Sequence, residues 1–356
     1  MVNAFDPGST QPSPSSSAVA LTLPLRGPSG EPVDLWCSVR SHGLTTLPPA
    51  IIDPERRRYR TVVTIPGVGP RAISIGEHPS QPNTTTVDVG GPGLNGAADQ
   101  QLLALVRRML ALDLDLGGFY AQCASDPDLA WVTRGAGRMM RSPSVFEDVV
   151  KTICTTNCAW SGTVRMTTAL VRHLGAPLPD ADPDEPTDHA FPTPAAMAAA
   201  PEAFYRETVR AGYRGRYLQS LATRVADGTL DLESLASASP KDLPDDELAA
   251  QLLALPGVGP YAAAHVMLLL GRFSRLILDS WTRPTYTRFV REERGEKAKG
   301  EELVPDKEIV ARFSQYGPFA GLAFWLFITR DWHQPPEDAP APSPVTEPAT
   351  STTSTS

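Results

Sequence analysis

The chain has 356 residues, a formal net charge of −8 at pH 7 and 36 prolines. A chain of this length can fold into two compact domains with tails. It contains no apolar run long enough to cross a bilayer, and residues 1–17 lack the apolar core of a signal peptide. These features argue against membrane and secreted proteins, and a cytoplasmic protein is expected.

The first part of the chain has a β pattern. Residues 1–18 are rich in Pro, Ser and Thr and are predicted to be a disordered tail. Residues 19–95 alternate apolar and polar side chains between turn signals, which predicts a small β-rich domain. The predicted strands are 33–39, 60–65, 72–75 and 84–89.

Helical periodicity dominates residues 96–333. Ser144 followed by Glu147 predicts a capping box at one helix start. The Pro- and Asp-rich stretch 177–194 is predicted to be a loop, and residues 334–356 a second disordered tail. The fold class is therefore α+β: a mainly α-helical core preceded by a small antiparallel β domain. The predicted helices are 102–112, 146–153, 164–174, 194–211, 216–227, 246–254, 261–270, 282–291, 306–313 and 319–328.

The negative charge argues against nucleic-acid binding, because contacts with phosphates dominate that affinity. The acids are concentrated, however: residues 180–188 contain five and residues 331–356 contain four, with no Lys or Arg in either segment. Without these nine charges the rest of the chain carries about +1, which suits an enzyme that must release its DNA. Side chains that can form a local basic face are Arg134, Arg138, Arg141, Lys151, Arg210, Arg214 and Arg216.

The four cysteines are not spaced for a metal site. Cys154 and Cys158 lie four residues apart on a predicted helix, which fits neither a Cys-x-x-Cys redox pair nor a zinc site. Cys37 and Cys123 are isolated. Free thiols are therefore expected, with no metal and no other cofactor.

The stretch 248–271 predicts two helices joined by a tight glycine turn. Leucines recur at helical spacing until Pro256 and Gly257 end the first helix. Gly257 and Gly259 permit a close approach of the backbone, and Pro260 suits the first position of the second helix. The unpaired amides and positive dipole end of that helix can bind a phosphate without a basic side chain. For this motif alone, an ordinary turn between helices remains an alternative.

A nearly identical sequence motif occurs earlier in the chain and shows how far the motif alone determines a structure. Residues 65–71 read Ile-Pro-Gly-Val-Gly-Pro-Arg, but residues rich in β-branched side chains flank them, at 59–64 and 72–75. A β-hairpin loop is predicted there. The motif is therefore informative only in its helical context, where an isolated acid, Asp279, also follows it.

Residues 248–290 resemble the helix-hairpin-helix, the Gly/Pro-rich loop and the catalytic Asp of the HhH-GPD superfamily of DNA glycosylases. Three further segments resemble that superfamily in the same order. Residues 146–157 are similar to the helix and loop that enter the lesion cavity in 8-oxoguanine glycosylases, 211–217 to their Gly-Tyr-Arg turn, and 316–321 to the start of their last helix. The resemblance covers residues 20–333 and is greatest to the 3-methyladenine and 8-oxoguanine branch, which has a small sheet domain before its helical core.

The resemblance implies a base-excision repair enzyme that flips a damaged base out of double-stranded DNA and hydrolyses its N-glycosidic bond. Asp279 matches the catalytic carboxylate, which would stabilise positive charge on the sugar and activate water. The residues themselves leave a second role open, because Asp279 is also placed to cap the helix that begins near Trp281. The two roles are compatible.

Three residues match positions in the base pocket of this superfamily. Tyr261 and His265 lie one turn apart on one helix face, where the alkyl-adenine branch has aromatic side chains that suit an electron-poor alkylated purine. Phe324 matches a glutamine that reads the base edge in the 8-oxoguanine branch, a hydrogen bond that phenylalanine cannot make. For His265 and Phe324, a place in the hydrophobic core is the open alternative.

Two departures from the superfamily pattern bear on the reaction. Tyr261 stands where bifunctional relatives have the lysine that attacks the sugar, so a monofunctional glycosylase without AP lyase activity is expected. The sequence Ser41-His42-Gly43 falls where 8-oxoguanine enzymes have Ser-Gly-Gln beside the lesion. An alkylated purine is therefore favoured over 8-oxoguanine as the substrate.

The expected partner is duplex DNA containing a damaged base, bound by a monomer in the cytoplasm, or on the nucleoid of a bacterium. Asn157 would fill the hole left by the flipped base, although ordinary loop capping is an alternative. Open alternatives for the whole protein are a non-catalytic protein that binds distorted DNA, a helical scaffold, and an 8-oxoguanine-directed glycosylase. The predicted DNA contacts are Gly257, Gly259, Pro260, Asn157 and Arg214.

Overall fold

The computed structural model describes residues 20–295 and 302–333, so both predicted tails lie outside the described residues. Helices make up the largest share of the described residues, and the strands form one antiparallel sheet. The predicted α+β fold class with a mainly helical core is therefore confirmed. None of the helices in the described segments is long and apolar enough to cross a membrane.

The strands all lie in the first 89 residues and are ordered β1-β5-β4-β3-β2 in the sheet. The predicted strands at 60–65, 72–75 and 84–89 are present, but the strand predicted at 33–39 is wrong. There, the side chain of Asp34 accepts a hydrogen bond from the Cys37 amide at 2.8 Å and caps a short helix instead, because a short apolar run cannot distinguish strand from helix. The strands are β1 (Leu21–Pro24), β2 (Ile51–Asp53), β3 (Arg58–Ile65), β4 (Gly69–Glu77) and β5 (Thr84–Val89).

The early copy of the glycine motif forms the predicted β-hairpin loop. Ile65, the last residue of β3, pairs with Gly69, the first residue of β4. Gly67 and Gly69 have φ of 74° and 95°, in the left-handed region that glycine adopts without strain. The flanking β-branched residues therefore decide the structure of this motif.

The helices confirm most of the periodicity of the second part of the chain. The helix predicted at 194–211 is broken after Ala199, where Pro201 follows, and a π-turn at Phe204–Thr208 continues it. The short helices at 35–39, 117–123, 233–237 and 330–333 were not predicted. The helices are α1 (Leu35–Val39), α2 (Gly96–Met109), α3 (Gly117–Cys123), α4 (Val145–Thr155), α5 (Trp160–Leu174), α6 (Pro194–Ala199), α7 (Arg214–Ala226), α8 (Glu233–Ser237), α9 (Asp245–Leu253), α10 (Pro260–Leu269), α11 (Thr282–Glu293), α12 (Asp306–Phe313), α13 (Ala320–Ile328) and α14 (Arg330–His333).

The start of α4 has half of the predicted capping box. The hydroxyl of Ser144 accepts a hydrogen bond from the Glu147 amide at 3.1 Å. The carboxylate of Glu147 does not reach back, because it forms a buried ion pair with Lys151 at 2.7 Å. Lys151 also donates to the carbonyl of Leu47, so α4 is tied to the chain between the sheet and the helices.

Buried apolar side chains form one cluster on the sheet and two among the helices. Helix α10 belongs to both helical clusters. Ala264 and Leu268 lie in the cluster around α3 and α13, whereas Val266 and Met267 lie in the cluster around α4 and α7. Because both sides of α10 are covered, the helix is apolar around most of its circumference, and its exposed end is the N-terminal one.

A buried ion pair joins the sheet domain to the helical core. Glu31 Oε1 lies 2.7 Å from Arg138 Nη2, and the two side chains are 5% and 0% exposed. Arg138 also donates to the carbonyl of Leu114 at 2.7 Å, and Glu31 accepts from the amides of Leu116 and Ser29, each at 3.0 Å. Both charges are therefore balanced and hydrogen-bonded inside the protein.

Candidate active site

The second glycine motif forms a hairpin between two helices, as predicted. Gly257 has φ of 78°, and a Cβ at this position would lie 3.0 Å from the Tyr217 side chain. Gly259 is the extended N-cap residue of α10, and Pro260 occupies the first turn. Gly259 and Pro260 are both exposed, whereas Tyr261 is half-buried and Ala262 is buried, so the surface part of this helix start is the Gly259 backbone and the Pro260 ring.

Replacing Gly257 by alanine is expected to destabilise the hairpin and weaken DNA binding. The added Cβ meets both a left-handed φ and the Tyr217 ring, for a combined cost of roughly 1–3 kcal/mol. Gly228→Ala is the matched control, because Gly228 also has φ of 78° but a Cβ there would meet no atom within 4 Å. Denaturant unfolding and duplex binding should show the larger loss in the Gly257 variant. Equal losses in the two variants would contradict a packed hairpin.

Asp279 lies at the start of α11, half-buried, and caps that helix. Its Oδ1 accepts hydrogen bonds from the amides of Trp281 at 2.8 Å and Thr282 at 2.7 Å. Its other carboxylate oxygen has no hydrogen bond to any residue in the described ranges. The nearby Arg283 does not neutralise it, because that guanidinium forms a two-fold hydrogen bond with Asp306 at 2.7 and 2.9 Å. The cap therefore orients the carboxylate and leaves one oxygen available.

Four aromatic side chains form one group, which we call the aromatic cage: Tyr261, His265, His42 and Trp325. The ring of His265 is central, since its centroid lies 5.9 Å from Tyr261, 6.0 Å from His42 and 6.0 Å from Trp325. The negative charge of Asp279 contributes to raising the pKa of Tyr261, after the larger effect of burial. Asp279 is thus electrostatically linked to the cage.

Trp281 extends the cage towards solvent. Its ring is 39% exposed and lies 6.0 Å from that of Trp325 and 5.4 Å from that of Trp332. Its amide is one of the two that Asp279 caps. The aromatic cage is therefore continuous with Trp281 and Trp332, and through Trp281 it reaches the surface.

The polar atoms of the cage have hydrogen-bond partners in the surrounding protein, except three of the four imidazole nitrogens. Tyr261 Oη shares a hydrogen bond with Thr155 Oγ1 at 3.2 Å, and Trp325 Nε1 donates to the carbonyl of Ser41 at 2.8 Å. His42 Nε2 contacts the carbonyl of Met140 at 2.7 Å. Both ring nitrogens of His265 and Nδ1 of His42 are buried and have no hydrogen-bond partner among the described residues.

Both cage histidines are held in their neutral form. Burial lowers the pKa of His265 to about 4. It lowers the pKa of His42 to about 3, and the nearby His265 and Lys151 act in the same direction. At neutral pH the cage therefore has no cationic imidazole that would repel a positively charged base.

The depressed pKa of His265 predicts a pH dependence of stability. In the unfolded chain this imidazole takes up a proton below about pH 6.5, whereas the folded protein binds it only near pH 4. The folded state therefore loses stability as the pH falls from 6.5 to 4, by roughly 2 kcal/mol at pH 5 from this group. His265→Phe should lose less stability than the wild type between pH 7 and pH 5 in urea unfolding. The exposed His173→Phe should follow the wild type, and parallel curves for all three proteins would contradict the prediction.

Phe324 lies in the hydrophobic core, the alternative that the sequence left open, and it does not belong to the cage. Its ring is fully buried and packs against Phe313 at 5.4 Å and Tyr286 at 6.1 Å. The next residue, Trp325, is the one whose ring meets His265. Successive residues on a helix point about 100° apart, so these two neighbours on α13 have different surroundings.

The loop between α4 and α5 brings Asn157 to the surface beside the predicted Gly-Tyr-Arg turn. Asn157 is exposed, has φ of 46°, and donates through Nδ2 to Tyr213 Oη at 3.0 Å. Tyr213 is itself 46% exposed, although the sequence had not singled out its ring. Two planar polar side chains therefore project together from this surface.

Arg214, predicted to contact DNA, is buried instead. Its guanidinium donates to the carbonyl and hydroxyl of Thr156 and to the carbonyl of Ala211. Its carbon Cζ lies 4.6 Å from the centre of the Tyr213 ring. Arg214 thus stabilises the loop that carries Asn157 and packs against Tyr213. Its guanidinium is hydrogen-bonded to carbonyl groups within the protein.

Burial also corrects the predicted basic face. Of the seven candidates, Arg138, Arg141, Lys151 and Arg214 are buried. The remaining three, Arg134, Arg210 and Arg216, are exposed. Arg210 lies close to the Gly-Tyr-Arg turn, where its carbonyl accepts a hydrogen bond from the exposed Arg165 at 3.4 Å. The exposed positive charge next to Tyr213 is therefore a cluster of Arg165, Arg210 and Arg216.

Comparison with known proteins identifies the fold. No model of a protein family and no curated protein matches the chain. The 3-methyladenine DNA-glycosylase from Archaeoglobus fulgidus has a TM-score of 0.63 and 18% identity, over 88% of this chain and 99% of that one. The 8-oxoguanine glycosylase/lyase from Clostridium acetobutylicum, in complex with dsDNA containing cytosine opposite to 8-oxoG, has a TM-score of 0.60 and 19% identity, over 85% and 93% of the two chains.

A third structure, MBOgg1 in complex with a low affinity DNA ligand, has a TM-score of 0.64 and 17% identity, over 90% of this chain and 98% of that one. Each match extends over nearly the whole neighbour, so the similarity includes the sheet as well as the helices. The chain has the fold of these DNA glycosylases, which confirms the fold that the sequence resemblance implied.

Proposed function

We propose that this chain, which shares its fold with DNA glycosylases, is itself a base-excision DNA glycosylase that removes a damaged purine, most readily an alkylated one. The observation that carries the proposal is the position of Asp279. One oxygen of its carboxylate is fixed by two amides, the other has no hydrogen bond among the described residues, and the charge acts on Tyr261 of the aromatic cage. That arrangement suits a reaction in which a base enters the cage while its sugar stays beside the carboxylate.

The chemistry follows from this geometry. As the bond between C1′ and the base nitrogen breaks, its electron pair leaves with the base and positive charge develops on the sugar. The Asp279 carboxylate stabilises that charge, and water then bonds to C1′ and gives its proton to the carboxylate or to solvent. A cationic alkylated purine leaves as a neutral base and needs no proton. A neutral, aromatic cage therefore supplies what such a base requires, namely electron-rich faces and no competing cation.

The same residues support hydrolysis without a lyase step. The position of the nucleophilic lysine of bifunctional glycosylases holds Tyr261, whose pKa is raised mainly by burial, so its phenol stays protonated. Buried Lys151 is engaged by Glu147 at 2.7 Å and by the Leu47 carbonyl. Neither side chain offers a free amine to C1′, and an intact abasic strand is the expected product.

Three surfaces would hold the DNA. The exposed start of α10 would offer a phosphate the backbone N–H of Gly259 and the positive end of the helix dipole, since Pro260 has no N–H. Asn157 and Tyr213 would enter the stack and occupy the space of the flipped base. The cluster of Arg165, Arg210 and Arg216 would attract the phosphates beside it, which reconciles DNA binding with a net charge of −8.

Replacing Tyr213 by alanine is expected to slow base removal about 10-fold or more. The exposed ring would otherwise stack in the duplex while the base is out, an interaction worth roughly 1–3 kcal/mol. Single-turnover rates on a lesion-containing duplex measure the effect. Val310→Ala, which shortens another exposed apolar side chain, is the control and should retain the wild-type rate. An unchanged rate for the Tyr213 variant would remove this residue from the DNA interface.

The function itself is tested with end-labelled duplexes that carry 3-methyladenine or a stable analogue, hypoxanthine, or 8-oxoguanine. Strand breaks that appear only after alkali establish base removal without lyase action and identify the substrate. Breaks without alkali would contradict the monofunctional mechanism. Tight lesion binding with no breaks under either condition would contradict an enzyme and favour a protein that only binds damaged DNA.

A further inference from the structure

Tyr217 lies between the glycine hairpin before α10 and the exposed ring of Tyr213. On one side its side chain packs against Gly257, where an added Cβ would lie 3.0 Å from both Cβ and Cδ2 of Tyr217. On the other side its ring meets that of Tyr213 edge to face, with centroids 6.1 Å apart and planes inclined at 75°. The two tyrosines are four residues apart at the start of α7 and therefore share one face of it. Tyr217 thus connects the hairpin to the ring that would enter the duplex.

The hairpin is the rigid end of this connection. It leads into α10, which both helical clusters cover, so its position is fixed by the core. Tyr213 is the free end, since it is 46% exposed and stands at the N-cap of α7. Tyr217 itself is half-buried. Its ring can therefore transmit the position of the hairpin to Tyr213 without having to reach the DNA.

Two other contacts hold Tyr213, but neither comes from the hairpin. Asn157, which donates to the Tyr213 hydroxyl at 3.0 Å, is exposed and would itself enter the duplex. The guanidinium of Arg214 lies 4.6 Å from the ring centre and covers one face. The edge contact with Tyr217 supports the ring from the side of the hairpin.

We propose that Tyr217 is a positioning residue, which holds the Tyr213 ring at a set distance and angle from the hairpin. A duplex whose phosphate is bound at the hairpin would then meet the ring where the flipped base has left. A ring that is already in place loses less conformational entropy on binding. The inference rests on the proposed function and adds to it a residue that acts through Tyr213 and not by touching DNA.

Two substitutions of Tyr217 separate the ring from its hydroxyl. The hydroxyl has no hydrogen bond to another residue within 20–295 or 302–333, so Tyr217→Phe keeps both ring contacts, whereas Tyr217→Ala removes them. We expect Tyr217→Ala to slow single-turnover base removal about 3- to 10-fold and Tyr217→Phe to retain the wild-type rate. Val225→Ala, which shortens a half-buried apolar side chain near the other end of α7, is the control and should also retain it.

A double-variant cycle shows whether Tyr217 acts through Tyr213. Tyr217→Ala should change the rate of the Tyr213→Ala protein by less than about 1.5-fold, because the ring that it positions is gone. A residue that acted only on stability, or on phosphate binding at the hairpin, would slow both proteins by the same factor. The cycle therefore separates positioning from a merely structural role.

The position of the ring can be measured without catalysis. The duplex carries tetrahydrofuran in place of one nucleotide, so that it has no base to release, and 2-aminopurine opposite, whose emission responds to stacking. At saturating protein the wild type should change this emission, and Tyr213→Ala should not. Tyr217→Ala should show at most about half of the wild-type change, and Tyr217→Phe all of it.

Each other outcome refutes a definite statement. A wild-type rate and emission change in Tyr217→Ala refutes the inference while the glycosylase works, and equal slowing with and without the Tyr213 ring refutes action through Tyr213. A Tyr217→Phe protein as slow as Tyr217→Ala refutes a role of the ring. No emission change with the wild type refutes insertion of Tyr213 and with it the inference. If the wild type releases no base from any of the lesion duplexes, the proposed function fails, and the emission series alone then decides the inference.

Discussion

Asp279→Asn is expected to lower the rate of base removal by about two to four orders of magnitude while duplex binding is kept. Asparagine removes the negative charge that would face the sugar. It keeps an oxygen that can accept from the amides of Trp281 and Thr282, and asparagine is as good an N-cap as aspartate. The start of α11 should therefore stay in place, so that a loss of rate reports on the charge. Single-turnover rates and binding to the same lesion-containing duplex are the measurements.

Asp34→Asn is the matched control for this change. Asp34 also caps a helix, accepting from the Cys37 amide at 2.8 Å, and it lies in the sheet domain. Its replacement should leave the rate of base removal unchanged. Full activity of the Asp279 variant would refute its catalytic role and reduce Asp279 to a capping residue, which was the alternative that the sequence left open.

Glu31→Gln is expected to destabilise the protein by about 3–5 kcal/mol, because it leaves the charge of Arg138 unpaired in the interior. The pair is one of the contacts between the sheet domain and the helical core, and neither side chain has meaningful access to solvent. Glutamine is nearly isosteric with glutamate, so the loss would come from the charge and not from packing. Urea unfolding followed by circular dichroism measures it.

The control is Glu77→Gln, in which the same change is made at the surface. Glu77 pairs with Arg57 at 2.8 Å, but the side chains are 50% and 46% exposed. An exposed pair contributes at most about 1 kcal/mol, so this variant should remain close to the wild type. If the two variants lost equal stability, the buried Glu31–Arg138 pair would contribute no more to the free energy of unfolding than an exposed pair does.

The sequence predicted the elements whose signals are local. The hairpin before α10 depends on glycine, proline and helical periodicity, and β5 on simple alternation, and both are present at the predicted positions. The copy of the motif at 65–71 was correctly assigned to a β-hairpin because its neighbours are β-branched. Local rules failed at α1, where five residues are too few to show a period.

The site was predictable only in part, because burial and side-chain direction depend on contacts between distant segments. The spacing of Tyr261 and His265 predicted that they share one helix face, as they do, whereas the rings that join them, His42 and Trp325, come from opposite ends of the described chain. The sequence also left open whether Phe324 lies in a pocket or in the core, and its burial shows the core. Arg214 shows the same limit, since its charge suggested DNA but its hydrogen bonds hold the loop at Thr156.

Helix α10, whose two sides pack into separate helical clusters, also has a consequence for how such a protein can diverge. A substitution at a buried position of α10 would disturb the packing of one or both helical clusters, so few substitutions along the helix should be tolerated. The rings that face His265 from outside, His42 and Trp325, stand on a loop and on another helix, each with its own hydrogen bond to the backbone. The surroundings of His265 can therefore be varied at these two positions while α10 itself stays unchanged.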